Sequence, residues 1–143
     1  MSPPHLHLDA QLCFAVNAAA RAMSAAYAPL LEPLGLTHPQ YLVMLVLWQF
    51  DGQRVTDIGT RLHLDSGTLT PLLKRLQTRG LVERRRLKDD ERVVEIHLTP
   101  AGRALQAKAL AIPASMACTA ALDADELTAL RGQLLALTTR LRG

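Results

Sequence analysis

Apolar positions recur with a helical period along most of the chain, and the rhythm changes in only one stretch. Over residues 7–31, Leu12, Val16, Ala19, Met23, Ala26 and Leu30 return at alternating intervals of four and three, which predicts a helix with one apolar face. Pro29 kinks or closes it. "THPQYLVMLVLWQF" opens on a start signal: Thr37 as N-cap, Pro39 in the first turn where its missing N–H costs nothing, and Gln40 completing a capping box. The run from Tyr41 to Phe50 is apolar on nearly every side, so this helix is expected at the centre of the core. "DGQ" at 51–53 breaks it.

A short helix over 54–64 follows, with Val55, Ile58 and Leu62 inward. After "DSG", which provides a turn and a cap, comes another over 68–80, with Leu69, Leu72, Leu73 and Leu76 inward and Gly80 as terminator. Thr68, Thr70, Lys74 and Arg75 project away from that leucine face. Pro71 sits uncomfortably close to the interior of this helix. Then the period drops to two: "LVERRRL" and "RVVEIHL" flank the polar "KDDE" and predict a two-stranded hairpin with a charged tip. Thr99 caps a further helix with Pro100 at its first position, and this helix meets a break or kink at Pro113. Asp123 and Glu126 cap the last one, whose Leu127, Leu130, Leu134, Leu137 and Leu141 repeat at intervals of three and four. Such a narrow seam suits packing against other helices, within the chain or across a dimer interface that the first helix would share.

Two helices joined by a short turn and followed by a hairpin define a winged helix-turn-helix, mainly α with a small β-hairpin. In that arrangement the second helix enters the major groove of DNA and the hairpin reaches phosphates or the minor groove. Charge changes the picture in the same direction. Residues 74–92 carry eight Lys/Arg and four Asp/Glu, a net of +4, whereas the whole chain has a net of only +3. A basic excess confined to one segment is the footprint of a surface that meets phosphate, although a solvated charged face has the same composition. Ser66, Thr68 and Thr70 at the helix start can bond bases or phosphates, and Lys74 and Arg75 can pair phosphates or guanine edges. Ser66 can equally be a mere helix cap. Among Arg84, Arg85 and Arg86, strand alternation turns one away from its neighbours, so not all three can touch DNA; Arg86 is taken as the contact. Arg92, with Asp90 beside it to orient its guanidinium, suits a narrow minor groove.

The 143 residues fit one domain: a winged part over 37–99, with helices 7–36 and 100–143 for dimerisation. No apolar run approaches the roughly 20 residues that span a bilayer, and the N-terminus lacks a basic segment leading into an apolar one. A cytoplasmic location without membrane contact is expected. In that compartment two cysteines do not make a disulfide scaffold, and no Cys-x-x-Cys or His-x-x-x-His spacing points to zinc, so neither metal nor cofactor is expected.

Motifs at four places along the chain carry a resemblance. "DDERVVEIHLTPAG" places Asp90, Arg92, Leu98, Thr99 and Gly102 where the MarR family of dimeric winged-helix transcriptional regulators has a D-x-R wing followed by L-T-x-x-G. "LDAQLCFAV", "LEPLGLTHPQYLVMLVLW" and "LDSGTLTPLLKRL" are similar to its OhrR branch, which senses organic hydroperoxides through an N-terminal cysteine. The resemblance spans essentially the whole chain. It implies a homodimer on a palindromic double-stranded operator, most often a repressor, and not an enzyme.

The resemblance also implies that Cys13 is the reactive thiol, Tyr27 one of its tyrosine partners, and Cys118 the resolving thiol of a disulfide between subunits. The second tyrosine of the branch falls on His38, and another of its aromatic positions falls on Asn17. His38 can donate a hydrogen bond or, protonated, supply a charge; it can also be simply an exposed first helical residue. Cys118 can likewise be an apolar residue among alanines. Cys13 and Tyr27 lie on nearly the same helix face but about 21 Å apart along a straight helix. One chain cannot join them; two antiparallel helices related by a two-fold axis can. A hydroxyl donor and a helix N-terminus both favour thiolate, which attacks peroxide to give a sulfenic acid that a second thiol condenses with. Release by a small apolar or phenolic ligand, or by another oxidant such as hypochlorite, is the alternative within the family. A thiol peroxidase is disfavoured, because its Pro-x-x-x-Thr-x-x-Cys pattern does not occur and the basic hairpin would be unexplained.

Overall fold

The computed structural model describes residues 1–143, which are mostly helical with one small antiparallel sheet. They form two compact units, residues 1–109 and 110–143.

In the first unit, α1 spans Leu12–Leu31. It starts later than residue 7 because two single 3-10 turns, Pro4–Leu6 and Leu8–Ala10, occupy the preceding chain, and the Gln11 side chain donates to the carbonyls of His5 and His7, 2.9 Å each. The helix runs through Pro29, and a turn at Glu32–Leu34 then ends at Gly35, whose φ of 66° is the left-handed conformation a glycine adopts without strain. α2, His38–Gln49, begins on the expected box: the Gln40 N–H donates to Thr37 Oγ1 at 3.3 Å, and the Thr37 N–H to Gln40 Oε1 at 3.0 Å. Val43, Met44 and Leu47 are fully buried, and α2 packs against α1, α4, α5 and the sheet, as its all-round apolarity requires.

The two residues of β1, Gln53–Arg54, lead into α3, Val55–Leu62. α4, Ser66–Thr78, begins two residues earlier than its leucine period suggests, because Asp65 caps it by accepting from the Thr68 N–H at 2.7 Å. It continues through Pro71. β2, Val82–Arg86, and β3, Val94–Leu98, form the expected hairpin with Val82 opposite Leu98 and Arg86 opposite Val94. β1 adds an edge strand, making the order β1-β3-β2. α5, Pro100–Ala109, completes the unit. Its first turn is held by the Gly102 N–H donating to Thr99 Oγ1 at 3.1 Å, so Thr99 is the cap as expected.

The second unit is a pair of helices, α6 at Ile112–Ala120 and α7 at Ala124–Arg142. Pro113 is the second residue of α6, so the helical break lies just ahead of it. Asp123 and Glu126 form the expected capping box, with Glu126 N–H to Asp123 Oδ1 at 2.8 Å. α7 buries none of its residues and leaves Leu130, Leu134, Leu135 and Leu141 exposed. No single helix of the chain is long and apolar enough to cross a membrane.

Candidate nucleic-acid interface and thiol site

The outward face of α4 follows from what its inward face buries. Leu69, Leu72, Leu73 and Leu76 are all buried, Leu69 and Leu76 completely, and each is worth about 1.5–3 kcal/mol of burial. That anchoring turns Ser66, Thr68, Lys74 and Arg75 into solvent as exposed side chains. Thr70 departs from the expected projection: it is half-buried beside Leu69. Asp65 holds the N-terminal turn, and the Thr68 backbone N–H and hydroxyl keep its carboxyl below the ordinary carboxylate value. The "DSG" stretch thus supplies the expected cap, with Asp65 as the capping residue.

On the hairpin, alternation divides the three consecutive arginines. Arg85 pairs with Glu83 and lies 3.4 Å from His97 Nδ1, and His97 Nε2 in turn contacts Glu95 at 3.1 Å. Arg86 donates to the Glu91 carbonyl at 2.7 Å and so closes the tip of the wing. Arg92 is almost fully exposed, its side chain at 91%. Asp90 grips it as a fork, with Nε to Oδ1 at 3.1 Å and an NH2 nitrogen to Oδ2 at 3.3 Å, and also accepts from the Arg92 backbone N–H at 3.0 Å. Those bonds, with the charge of Arg54 nearby, hold the Asp90 carboxyl below its usual value. It therefore stays ionised and keeps the guanidinium aimed outward.

The thiol residues sit elsewhere. Cys13 is the second residue of α1, exposed and free; Cys118, also exposed and free, lies on α6 in the second unit. Further along α1, the Tyr27 ring stacks on His38, with centroids 4.8 Å apart and planes at 29°, and packs against Tyr41 at 5.6 Å. Ser24 Oγ lies 3.4 Å from His38 Nδ1. Thus the structure brings Tyr27 and His38 together within one chain. His38 is half-buried rather than simply exposed, and burial pushes its pKa below the ordinary value, which favours the neutral ring at neutral pH. A hydrogen-bonding role fits it better than a charge. Burial raises the Tyr27 phenol, so its O–H remains a donor. Tyr41 was not singled out from the sequence, where it reads as one more apolar residue of α2.

A recognition helix seated on a leucine face and a basic wing projecting beside it define a winged-helix DNA-binding transcriptional regulator. Comparison with known proteins agrees. Residues 36–94 match the MarR family. The chain is 51% identical over 134 residues to the HTH-type transcriptional regulator TtmR of Methylorubrum extorquens, covering 94% of this chain and 69% of that protein. It is 43% identical over 133 residues to the organic hydroperoxide resistance transcriptional regulator of Bacillus subtilis, covering 93% and 90% of the two chains. Among solved structures it is similar to AbfR of Staphylococcus epidermidis. To reduced AbfR bound to DNA the TM-score is 0.79 at 35% identity, with 95% of both chains covered. To disulfide-formed AbfR the TM-score is 0.66 at 36% identity, with 92% of both covered. The chain belongs to the MarR family of winged-helix transcriptional regulators and is not an enzyme.

Proposed function

We propose that this protein is a homodimeric repressor that holds a palindromic operator while Cys13 is reduced and lets go when an organic hydroperoxide oxidises it. The observation that carries the reading is a free, exposed cysteine in the first turn of α1, on a chain 43% identical to an organic hydroperoxide resistance regulator. The dimer is supported by apolar side chains that the monomer leaves in water: Leu12 at 64%, Phe14 at 38% and Met23 at 47% exposure on α1, and the leucines of α7. In such a dimer the Tyr27 hydroxyl of the partner subunit reaches Cys13.

The chemistry runs in two steps. The Cys13 thiolate attacks the terminal oxygen of the hydroperoxide; the O–O bond breaks, the alkoxide leaves and takes a proton, and sulfur is oxidised to sulfenic acid. The thiolate of Cys118 of the partner subunit then attacks that sulfur, forming the disulfide and releasing hydroxide, which leaves as water. Operator half-sites demand a fixed separation of the two α4 helices, so a bond that moves them lowers affinity.

A gel-shift on the operator with cumene hydroperoxide tests this reading. Wild type is expected to release, Cys13→Ser to stay bound, and Cys118→Ser to release incompletely. Release of Cys13→Ser as readily as wild type would rule the reading out.

On the DNA, Ser66, Thr68, Lys74 and Arg75 of α4 face the major groove with Thr70 half-buried behind them, Arg86 stabilises the wing, and Arg92 enters the minor groove under the guidance of Asp90. Asp90→Ala decides the last point by its sign. Loss of a negative charge near phosphate would by itself tighten binding. Loss of the fork that orients Arg92 is instead expected to weaken operator binding about tenfold, within the range of a specific contact.

A further inference from the structure

One cavity of about 270 Å³ lies between the first turn of α3 and the wing, lined by the arginines Arg54, Arg84 and Arg92 together with Val55, Thr56 and Val94. Arg92 has Asp90 as its partner. Arg54 and Arg84 take part in no side-chain hydrogen bond and no ion pair. Like charges gathered around one small space repel, and the one carboxylate bonded to these arginines, Asp90, engages only Arg92. Val55 and Thr56, the first two residues of α3, line the cavity, and Arg54 ahead of them makes no side-chain cap to that helix start.

We infer that the Arg54–Arg84–Arg92 cleft is a phosphate seat, which takes one phosphodiester of the operator backbone next to the point where Arg92 enters the minor groove. The chemistry fits an anion with several oxygens: two free planar guanidinium forks offer paired donors. The DNA backbone is the source because Arg92, which lines the cleft, also projects from it on the exposed wing. Arg54 reaches this place through β1, whose pairing with β3 sets Arg54 opposite Glu95, one residue from Val94 in the cavity wall. The seat would fix the register of the wing on the duplex without reading sequence. It rests on the reading of the protein as a DNA-bound regulator, but not on oxidation.

The test uses the reduced full-length protein, so a failed oxidant response and a failed phosphate seat appear in separate measurements. Binding to the operator and to a scrambled duplex of equal length is followed by fluorescence anisotropy across a series of NaCl concentrations. Arg54→Ala is expected to weaken both duplexes by the same factor, about tenfold at low salt, and to reduce the slope of log K against log salt by about 0.9. Arg54→Lys, which keeps the charge, should retain most of the slope. Arg84→Gln should reproduce the loss and guards against a folding defect at β1 in Arg54→Ala. An unchanged slope in both Arg54→Ala and Arg84→Gln overturns the inference, and so does a loss confined to the operator. A thermal-melt arm compares inorganic phosphate with chloride at equal ionic strength. If phosphate stabilises wild type but not Arg54→Ala while DNA binding is the same for both, the cleft serves a free anion and the assignment to DNA is wrong.

Discussion

Gly102→Ala is expected to destabilise the protein by about 3 kcal/mol, the upper end of what overpacking costs, and to lower the melting temperature by about 10 °C. A Cβ at this position would stand 2.1 Å from the Leu81 carbonyl oxygen and 3.2 Å from Leu98 Cδ2. The Leu98 methyl can give way, but the carbonyl cannot, because it accepts the Thr99 N–H at 3.1 Å and so ties the start of β2 to the start of α5. Gly102 is fixed from its other sides as well: its N–H donates to Thr99 Oγ1, and its carbonyl accepts the Trp48 indole N–H at 2.9 Å. Any shift that relieves the clash breaks one of these bonds. Urea unfolding followed by Trp48 fluorescence measures the effect, since the chain has one tryptophan. Gly132→Ala is the control. It lies within α7 with nothing within 4 Å of the added carbon, and should stabilise the helix by up to about 1 kcal/mol. Equal effects of the two substitutions would show that the close approach at Gly102 is immaterial.

Asp51→Ala is expected to cost about 1–3 kcal/mol at neutral pH, the range for a buried donor left without its acceptor. The Asp51 carboxylate sits at the end of α2 and reaches two other elements. Oδ1 accepts the backbone N–H of Leu98 on β3 at 2.8 Å and that of Gly52 at 2.8 Å, and Oδ2 pairs with Arg103 of α5 at 3.0 Å. Partial burial pushes this carboxyl upward, but the two N–H bonds and the Arg103 guanidinium outweigh it and hold the pKa below 3.8. Because the folded value is the lower one, the unfolded chain binds the proton more tightly, and the stabilisation is fully present above about 3.8. It fades as the pH falls through the folded value. The stability difference between wild type and Asp51→Ala should therefore be constant from neutral pH down to mildly acid conditions and shrink below that. Taking the difference removes the parallel contributions of Asp65, Asp90 and Asp123, whose carboxyls are also held low. A difference that grows on acidification would mean that the carboxylate is not the stabilising form.

Both predictions concern residues whose importance is only half legible in the sequence. Gly102 belongs to the L-T-x-x-G motif, so its presence is expected, but nothing in the motif says that the space it leaves is filled by the Leu81 carbonyl. Asp51 reads as part of a "DG" breaker, which it is. Its reach to Leu98 and Arg103, 47 and 52 positions away, depends on where the wing and α5 return. The two-residue strand at Gln53–Arg54 was missed because two residues carry no period, and with it went the place of Arg54. The early start of α4 was missed for the opposite reason: the leucine period begins at Leu69, while the Asp65 cap sets the boundary ahead of it.

Signals confined to one or two turns of chain were decided by the sequence itself. The capping boxes at Thr37 and Asp123, the buried face of α4, the hairpin over 82–98 and the Asp90–Arg92 pair all depend on neighbours no more than a few residues apart, or on a period that the chain states outright. Tertiary structure alone decided which distant groups meet. The stacking of Tyr27 on His38, the Arg79 guanidinium donating to the carbonyls of Leu34 and Gly35, and the cavity shared by Arg54, Arg84 and Arg92 join residues brought together by packing. The reason is physical: local hydrogen bonds and periodic burial are set by the order of side chains along the backbone. A contact across elements is set by the fit of the core, which no short stretch of chain contains.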